Sequence, residues 1–274
     1  MTKRLMRFVK AHAKPMEAPR ATGVARYNAR DGRGMQRAFD VIAPSNSIVD
    51  GGGQLSLAIT FVFHGAGGNP HDAQALGLQR VAGAAQKSIF VFPEGVTFRD
   101  QGVGWDDRCD GYDVVFFDNM LTELRQRFRV DPTQIYVAGF SWGADFVTAL
   151  LCCRGELIRA AAVASCTDEY ADPRDFRTYS NFPCRTGGKT AIRFTFDSNG
   201  DHAYSATQFR ATLSLYRHLN SCSETWTKND SVCDRYDGCS APFIACGYSA
   251  LGHSTPPHWA EESWRFFELA ASRN

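Results

Sequence analysis

The sequence predicts an α/β fold, in which a mostly parallel sheet is covered by helices on both faces. Strand-like and helix-like segments alternate along most of the chain, and this alternation is typical of parallel sheets. Several strand-like segments are almost entirely apolar, as in residues 56–63 (SLAITFVF). A strand has this composition when both faces of its sheet are buried. In addition, a Gly-x-Ser-x-Gly turn joins one predicted strand directly to a helix.

The predicted elements follow one another without an internal repeat. Strands are predicted at residues 34–44, 56–63, 88–93, 134–138, 159–165, 190–197 and 243–248. Helices are predicted at residues 76–85, 113–127, 144–151, 205–219 and 259–270. Residues 166–190 are predicted to form a loop excursion. Because strand and helix alternate throughout, residues 35–274 are predicted to form a single domain.

The first 34 residues differ from the rest of the chain. They are basic, contain few large apolar side chains and are interrupted by Pro15 and Pro19. This composition predicts a poorly ordered N-terminal arm. Its basic residues resemble the start of a signal peptide, but no apolar core follows them.

The overall composition excludes some classes of partner. The chain has 274 residues, 44% of them hydrophobic, and a formal net charge of +1. A chain so nearly neutral gives no reason to expect binding to nucleic acid or to an anionic membrane. The sequence contains no run of about 18 apolar residues, so no membrane span is predicted. We expect a monomer.

The nine cysteines indicate the compartment. Four of them lie within residues 222–246, but none forms a Cys-x-x-Cys pair and no histidine has zinc-finger spacing. We therefore expect no metal site. Disulfides are the favoured interpretation, which indicates a secreted or periplasmic protein; the alternative is that several are buried thiols. Because the count is odd, at least one thiol is free or pairs with another chain. One of the adjacent residues Cys152 and Cys153 is predicted to be the free cysteine.

The Gly-x-Ser-x-Gly turn occupies residues 139–143 (GFSWG). Between a strand and a helix this pattern is typical of a nucleophile elbow, in which a strained turn exposes the serine hydroxyl. The helix that follows directs its N-terminal N–H groups towards the site where an oxyanion would form. Ser141 is therefore the candidate nucleophile. The alternative is a serine that merely caps the helix.

A second motif, HGAGG at residues 64–68, follows a predicted buried strand. A His-Gly-x-Gly run in this position provides half of an oxyanion hole in α/β-hydrolases. We expect the backbone N–H groups of Ala66 and Trp142 to be the two donors. His64 and Trp105 are candidates for lining the substrate pocket. The neighbouring carboxylates of residues 106 and 107 suggest acid–base or metal chemistry, but a polar start to the next helix is favoured.

A serine nucleophile needs a base and an acid that orients the base. In α/β-hydrolases these follow in the order Asp or Glu, then His. The loop after predicted strand 190–197 offers Asp197 and Asp201, and we favour Asp201 because it lies further into the loop. The loop after the last strand offers His253. His258 lies at the start of the final helix and is the less favoured base.

These segments resemble a known family. HGAGG, GFSWGADFVTALLC, the aspartate loop and a Cys-rich run ending in Gly252-His253 are similar to feruloyl esterases and extracellular polyhydroxybutyrate depolymerases. The resemblance covers about residues 35–270. It implies a secreted α/β-hydrolase of the carbohydrate esterase type, which cleaves carboxylic esters with a serine triad and no cofactor. It also implies that the cysteines of residues 222–246 form a disulfide-bearing insertion. The family's usual Gly-x-x-Asp appears here as Ser198-Asn199-Gly200-Asp201, so the choice between Asp201 and Asp197 stays open.

The expected function is therefore that of a serine esterase with a small or polymeric ester substrate. Feruloyl-type phenolic esters or acetyl esters of plant polysaccharide are the favoured substrates, and a polyhydroxybutyrate polyester is the alternative. Two rival hypotheses remain from the sequence: a non-catalytic binding protein on a hydrolase scaffold, and an acyltransferase in which an alcohol replaces water.

Overall fold

A computed structural model describes residues 23–44, 56–98, 101–168, 171, 184 and 190–272. The strands are β1 (Ala25–Arg30), β2 (Gln36–Ile42), β3 (Leu57–Phe63), β4 (Ser88–Pro93), β5 (Val96–Thr97), β6 (Val103–Gly104), β7 (Val130–Phe140), β8 (Ala160–Ala164), β9 (Ala191–Asp197), β10 (Trp226–Lys228), β11 (Cys233–Tyr236) and β12 (Phe243–Tyr248). The α-helices are α1 (Pro70–Ala75), α2 (Ala84–Lys87), α3 (Tyr112–Arg127), α4 (Trp142–Arg154), α5 (Ala206–Leu219) and α6 (Trp259–Ala271).

Ten of the strands form one sheet in the order β1-β2-β4-β3-β7-β8-β9-β12-β11-β10. The six central strands, from β4 to β12, pair in parallel. The two strands at each edge pair antiparallel with their neighbours. Strands β5 and β6 form a separate two-stranded ribbon. The prediction of a mostly parallel sheet is confirmed.

Helices cover both faces of the sheet. Buried residues of α3, α4 and α5 pack on one face, and those of α1, α2 and α6 pack on the other. Every residue of β3 is buried, as its apolar sequence predicts. Aromatic contacts join the layers: Phe61 of β3 lies 4.9 Å from Phe117 of α3, and Tyr136 of β7 lies 4.8 Å from Phe267 of α6, between ring centroids. None of the helices in the described ranges is long and apolar enough to cross a membrane.

The N-terminal arm is shorter than predicted. Residues 25–30 form β1, which pairs along its full length with β2. The strand is stabilised on the sheet because the Tyr27 ring stacks on Phe39, with 5.9 Å between centroids. The remainder of the predicted arm, residues 1–22, lies outside the described residues, as does most of the predicted excursion at residues 166–190.

The prediction of a helix at residues 76–85 is wrong. This segment contains Gly77 and Gly83, whose φ angles are 93° and 82°. A right-handed helix cannot pass through such positions, so the chain forms only a 3-10 turn at Leu78–Arg80 and the short α2. The hairpin of β10 and β11 was not predicted from the sequence at all.

All nine cysteines lie in the described residues, and eight form disulfides. The bridges are Cys109–Cys153, Cys152–Cys184, Cys222–Cys239 and Cys233–Cys246. The free thiol is buried Cys166, so the prediction that Cys152 or Cys153 is free is wrong. Helix α4 directs these two neighbours to different partners. The bridges within residues 222–246 agree with the disulfide-bearing insertion that the family resemblance implies, and four bridges fit a secreted protein.

Replacing both Cys233 and Cys246 with alanine is expected to lower the free energy of unfolding by about 3 kcal/mol. The bridge spans a sequence separation of 13 residues and joins directly opposed positions of β11 and β12, so its loss increases the freedom of the unfolded chain. Urea unfolding under non-reducing conditions measures the change. Cys166→Ala is the control because it removes a sulfur without removing a cross-link. If removing the two cysteines causes no loss of stability, the bridge does not form.

Candidate active site

Ser141 lies in the sharp turn between β7 and α4. Its φ and ψ angles are 54° and −131°, outside the regions that non-glycine residues normally adopt. Backbone hydrogen bonds hold this conformation: the Ser141 N–H donates to the Ala164 carbonyl at 3.0 Å, and the Ser141 carbonyl accepts from Ala144 at 2.7 Å and Asp145 at 3.0 Å. The strained turn is therefore fixed both to β8 and to the first turn of α4.

The two glycines of the motif allow close packing around this turn. A Cβ atom on Gly143 would lie 2.4 Å from the carbonyl oxygens of Phe63 and His64, at the end of β3. A Cβ atom on Gly139 would lie 2.5 Å from the Gly143 carbonyl oxygen. Neither contact is possible for a real side chain, so Gly143 is required by the packing of β3 against the turn and Gly139 by the tightness of the turn itself.

The structure brings together the three residues that the sequence offers as nucleophile, base and acid. His253 Nε2 lies 2.8 Å from Ser141 Oγ, and His253 Nδ1 lies 2.9 Å from Asp201 Oδ2. Because the carboxylate can only accept, Nδ1 carries the proton and Nε2 faces the serine hydroxyl as an acceptor. The Asp201 side chain is fully buried, and that of His253 is 12% exposed.

Asp201 is held in its ionised form. Burial alone would raise its pKa, but the hydrogen bond from His253 and the backbone N–H groups of Tyr204 and Ala203 lower it below the ordinary value. The two N–H groups donate to Oδ1 at 2.9 and 2.8 Å, which leaves Oδ2 for the imidazole. The loop between β9 and α5 (residues 198–205, the acid loop) thus holds an ionised carboxylate against His253.

Asp197, the competing acid, has a different set of contacts. Its Oδ2 accepts the N–H of Gly252 at 2.8 Å, and its Oδ1 accepts the N–H of Asn199 at 2.9 Å. It therefore holds the backbone of the histidine loop, one residue before His253. His258, the competing base, is the N-cap residue of α6.

The segments that carry the predicted oxyanion donors, Ala66 and Trp142, adjoin the turn of Ser141. Trp142 is the first residue of α4, where a backbone N–H has no acceptor within the helix. A Cβ atom on Gly65 would lie 3.2 Å from the Ser141 Cβ atom, so the loop carrying Ala66 packs directly against the nucleophile turn. Hydrogen bonds from Gly67 to the Val103 carbonyl (2.8 Å) and from Gly68 to the Gly65 carbonyl (3.1 Å) fix this loop.

The structure corrects the assignment of His64 and Trp105 as pocket residues. Both side chains are buried, with 1% and 0% exposure. His64 Nδ1 donates to the Gly65 carbonyl at 2.8 Å, and its Nε2 accepts the N–H of Gly95 at 3.0 Å. Burial lowers the pKa of His64, so the imidazole stays neutral. Trp105 donates its indole N–H to the His64 carbonyl at 2.9 Å. Both residues therefore hold the loop of residues 64–68 in place.

The Trp142 side chain packs against the β5–β6 ribbon. Its ring lies on Gly104, where a Cβ atom would come within 2.3 Å of the ring, and it contacts Phe98 edge to face at 6.2 Å. Trp142 is only partly buried. Buried Phe98 and half-buried Trp142 thus form an aromatic pair that includes the residue after Ser141.

Asp106 has a structural role, as the favoured interpretation predicts. Its carboxylate pairs with Arg108 at 2.8 and 2.9 Å and accepts the N–H of Tyr112 at the start of α3. A cluster of three sulfur atoms, from Cys109, Cys152 and Cys153, belongs to two disulfides and so offers no thiolate to a metal.

Sequence reasoning missed three residues around the site. The His202 ring lies 4.9 Å from the His253 ring, in an edge-to-face arrangement. The Tyr204 hydroxyl donates to Asp145 at 2.5 Å, and the Tyr204 ring lies 5.8 Å from that of His253. A tyrosine three residues after the candidate acid and an aspartate four residues after the nucleophile were the available signals.

Comparison with solved structures identifies the fold. An acetyl xylan esterase from Aspergillus awamori superimposes with a TM-score of 0.72 at 15% sequence identity, and the match covers 90% of this chain and all of that one. With its sheet order and its strand-turn-helix at Ser141, the chain has the α/β-hydrolase fold, as the sequence predicts.

Sequence comparison finds relatives named feruloyl esterase. No family model matches it. Over 81 residues it is 33% identical to feruloyl esterase D of Neurospora crassa, a match that covers 30% of this chain and only 26% of that protein. Over 204 residues it is 27% identical to a probable feruloyl esterase C of Aspergillus niger, covering 68% of this chain and 67% of that one. The predicted resemblance to feruloyl esterases is confirmed, and these relatives support the predicted class of carboxylic ester hydrolase.

Proposed function

We propose that the protein is a serine esterase in which Ser141 is the nucleophile, His253 the general base and acid, and Asp201 the residue that orients His253. The observation that carries this proposal is the continuous chain of hydrogen bonds from Asp201 through His253 to Ser141, at 2.9 and 2.8 Å. Such a chain activates a serine hydroxyl that would otherwise be a weak nucleophile.

The geometry suits a two-step reaction. Ser141 Oγ attacks the ester carbonyl carbon while its proton passes to His253 Nε2, and the same proton then goes to the departing alkoxide. This leaves an acyl group on Ser141 and releases an alcohol. Water attacks the acyl carbonyl, gives a proton to His253 Nε2 and releases the carboxylic acid, and that proton returns to Ser141. The ionised Asp201 stabilises the imidazolium that forms in each step.

Negative charge develops on the carbonyl oxygen in both steps. The backbone N–H groups of Ala66 and Trp142 are the proposed donors to this oxygen, assisted by the N-terminal dipole of α4. The support for these donors is their position: one N–H lies at the free start of α4, and the other lies in a loop packed against the nucleophile turn. The buried His64 and Trp105 would keep that loop rigid.

Phenolic or acetyl esters of plant polysaccharide are the substrates that we propose. The sequence relatives carry the name feruloyl esterase, and the half-buried ring of Trp142, the residue after Ser141, would offer a phenolic ring an apolar contact. Four disulfides are consistent with secretion, which would give access to a polymeric substrate. We propose a monomer that needs neither cofactor nor metal, and neither a nucleic acid nor a membrane partner.

A panel of esters tests the proposal. The purified protein is incubated with methyl ferulate, acetylated xylan, a 4-nitrophenyl acetate standard and a hydroxybutyrate oligomer. We expect hydrolysis of the first three, and kcat/KM for methyl ferulate about tenfold or more above that for the oligomer. The reverse order would favour a polyester depolymerase. Ester product formed with an added alcohol acceptor would indicate an acyltransferase, and binding without turnover of any ester would indicate a non-catalytic binding protein.

A further inference from the structure

We propose that Tyr204 is a positioning residue of this active site: it ties the acid loop and His253 to the helix of the nucleophile through the Asp145 carboxyl group. The inference rests on the proposed esterase mechanism and adds a residue to it. Tyr204 contacts Asp201, His253 and, through Asp145, helix α4.

The backbone of Tyr204 shapes the acid loop. Its carbonyl accepts the N–H of Asp201 at 2.8 Å, and its own N–H donates to Asp201 Oδ1 at 2.9 Å. This reciprocal pair closes a short turn around the acid and sets the direction of its carboxylate. Any shift of Tyr204 would therefore shift the oxygen that holds His253.

The side chain of Tyr204 fixes that turn to α4. Its hydroxyl donates to Asp145 Oδ2 at 2.5 Å, and Asp145 Oδ1 accepts the N–H of Thr167 at 2.7 Å. Asp145 lies in the first turn of α4 and its N–H bonds to the carbonyl of Ser141. The acid loop is thus tied, through one phenol and one carboxyl group, to the helical turn that carries the nucleophile.

The ring of Tyr204 also confines the base. It packs 5.8 Å from the His253 ring and 5.9 Å from Phe209 of α5, while Phe140 contacts His253 at 4.9 Å. Burial raises the pKa of Tyr204 far above its ordinary value, so the phenol remains a donor throughout the working pH range. A residue in this position limits the movement of the imidazole relative to the serine.

The chain contains a matched control for the loss of this hydrogen bond. Tyr216 of α5 donates to Asp168, another buried carboxyl group, at the same 2.5 Å distance. Tyr216 packs against Phe194 in the core and belongs to none of the proposed catalytic contacts. Tyr204→Phe and Tyr216→Phe therefore remove the same chemical group from a Tyr–Asp pair, but only the first is expected to alter the site.

The experiment compares these two variants with the wild type in two assays. The first is steady-state hydrolysis of 4-nitrophenyl acetate, and the second is the rate at which a fluorophosphonate labels Ser141, identified by peptide mass spectrometry. For Tyr204→Phe we expect kcat and the labelling rate to fall about 10-fold to 100-fold, with KM within about twofold. For Tyr216→Phe we expect both rates to stay near those of the wild type, although thermal stability falls.

The outcomes separate the two proposals. Equal rates in Tyr204→Phe and Tyr216→Phe, at equal folded fraction, would overturn the positioning role. If the wild type labels at Ser141 but cleaves no ester, the proposed function fails, and the labelling rates of the variants still decide the role of Tyr204. If Tyr204→Phe does not fold, Asp145→Leu, which has a similar size but cannot accept the Tyr204 hydroxyl, provides the second comparison. Rates near wild type in that variant would likewise overturn the role.

Discussion

Replacing Ser141 with alanine is expected to reduce kcat for ester hydrolysis by about 10⁴-fold or more. The change removes the only atom that would form the acyl bond, and it leaves the oxyanion donors and the binding surface in place. The alanine also keeps the backbone of the turn, which is held by hydrogen bonds to Ala164, Ala144 and Asp145 rather than by the serine side chain. Initial rates with methyl ferulate and a thermal unfolding curve measure the two effects.

The control for this prediction is Ser254→Ala. Ser254 follows His253 directly, and its hydroxyl donates to the backbone carbonyl of Thr255 at 3.1 Å. The variant therefore removes a nearby serine hydroxyl whose hydrogen bond is to the backbone. We expect it to keep activity within about twofold of the wild type. Full activity in Ser141→Ala would rule out Ser141 as the nucleophile.

Replacing Asp201 with asparagine is expected to lower kcat by about 10⁴-fold at neutral pH, with little change in KM. An amide directed at His253 Nδ1 can donate its own hydrogens, which favours the imidazole tautomer with the proton on Nε2, facing Ser141. That tautomer cannot accept the serine proton. The lost negative charge also removes the stabilisation of the imidazolium. Steady-state kinetics with 4-nitrophenyl acetate measure the effect.

Asp197→Asn is the matched control, since it makes the same chemical change at the same end of β9. Its carboxylate accepts N–H groups of Gly252 and Asn199, and an asparagine can still accept one of them. We expect a loss of thermal stability and at most about a tenfold loss in kcat. If Asp197→Asn proves far more damaging than Asp201→Asn, the acid is assigned to the wrong residue.

The parts of the fold that could be predicted from the sequence are those whose stability depends on burial. Strands β4 and β12 have the predicted bounds and β3 differs by one residue, because continuous apolar runs are rare outside a buried sheet. The hairpin of β10 and β11 lacks such a signal: all three residues of β10 are exposed. Its strands are held by backbone pairing and by the disulfides of that segment, neither of which produces a hydrophobic period.

The same distinction applies to the site. Ser141, Asp201 and His253 could be proposed from the sequence because each follows a strand whose carboxyl end lies at one edge of the sheet. The pairing of Tyr204 with Asp145 could not, because 59 residues separate the two and neither motif includes both. The burial of His64 and Trp105 was also hidden, since a glycine-rich loop does not reveal which of its neighbours face inward.

The contacts of Asp197 have a consequence for engineering. The loops after β9 and β12 are joined by backbone and side-chain bonds: Gly252 to Asp197, Ser198 to Tyr248, and the Asn199 amide to Ser249. The loops that carry the acid and the base are therefore held together by hydrogen bonds, although more than fifty residues separate Asp201 and His253 in the chain. A designer who wishes to graft a longer loop onto either side would have to transfer the two together.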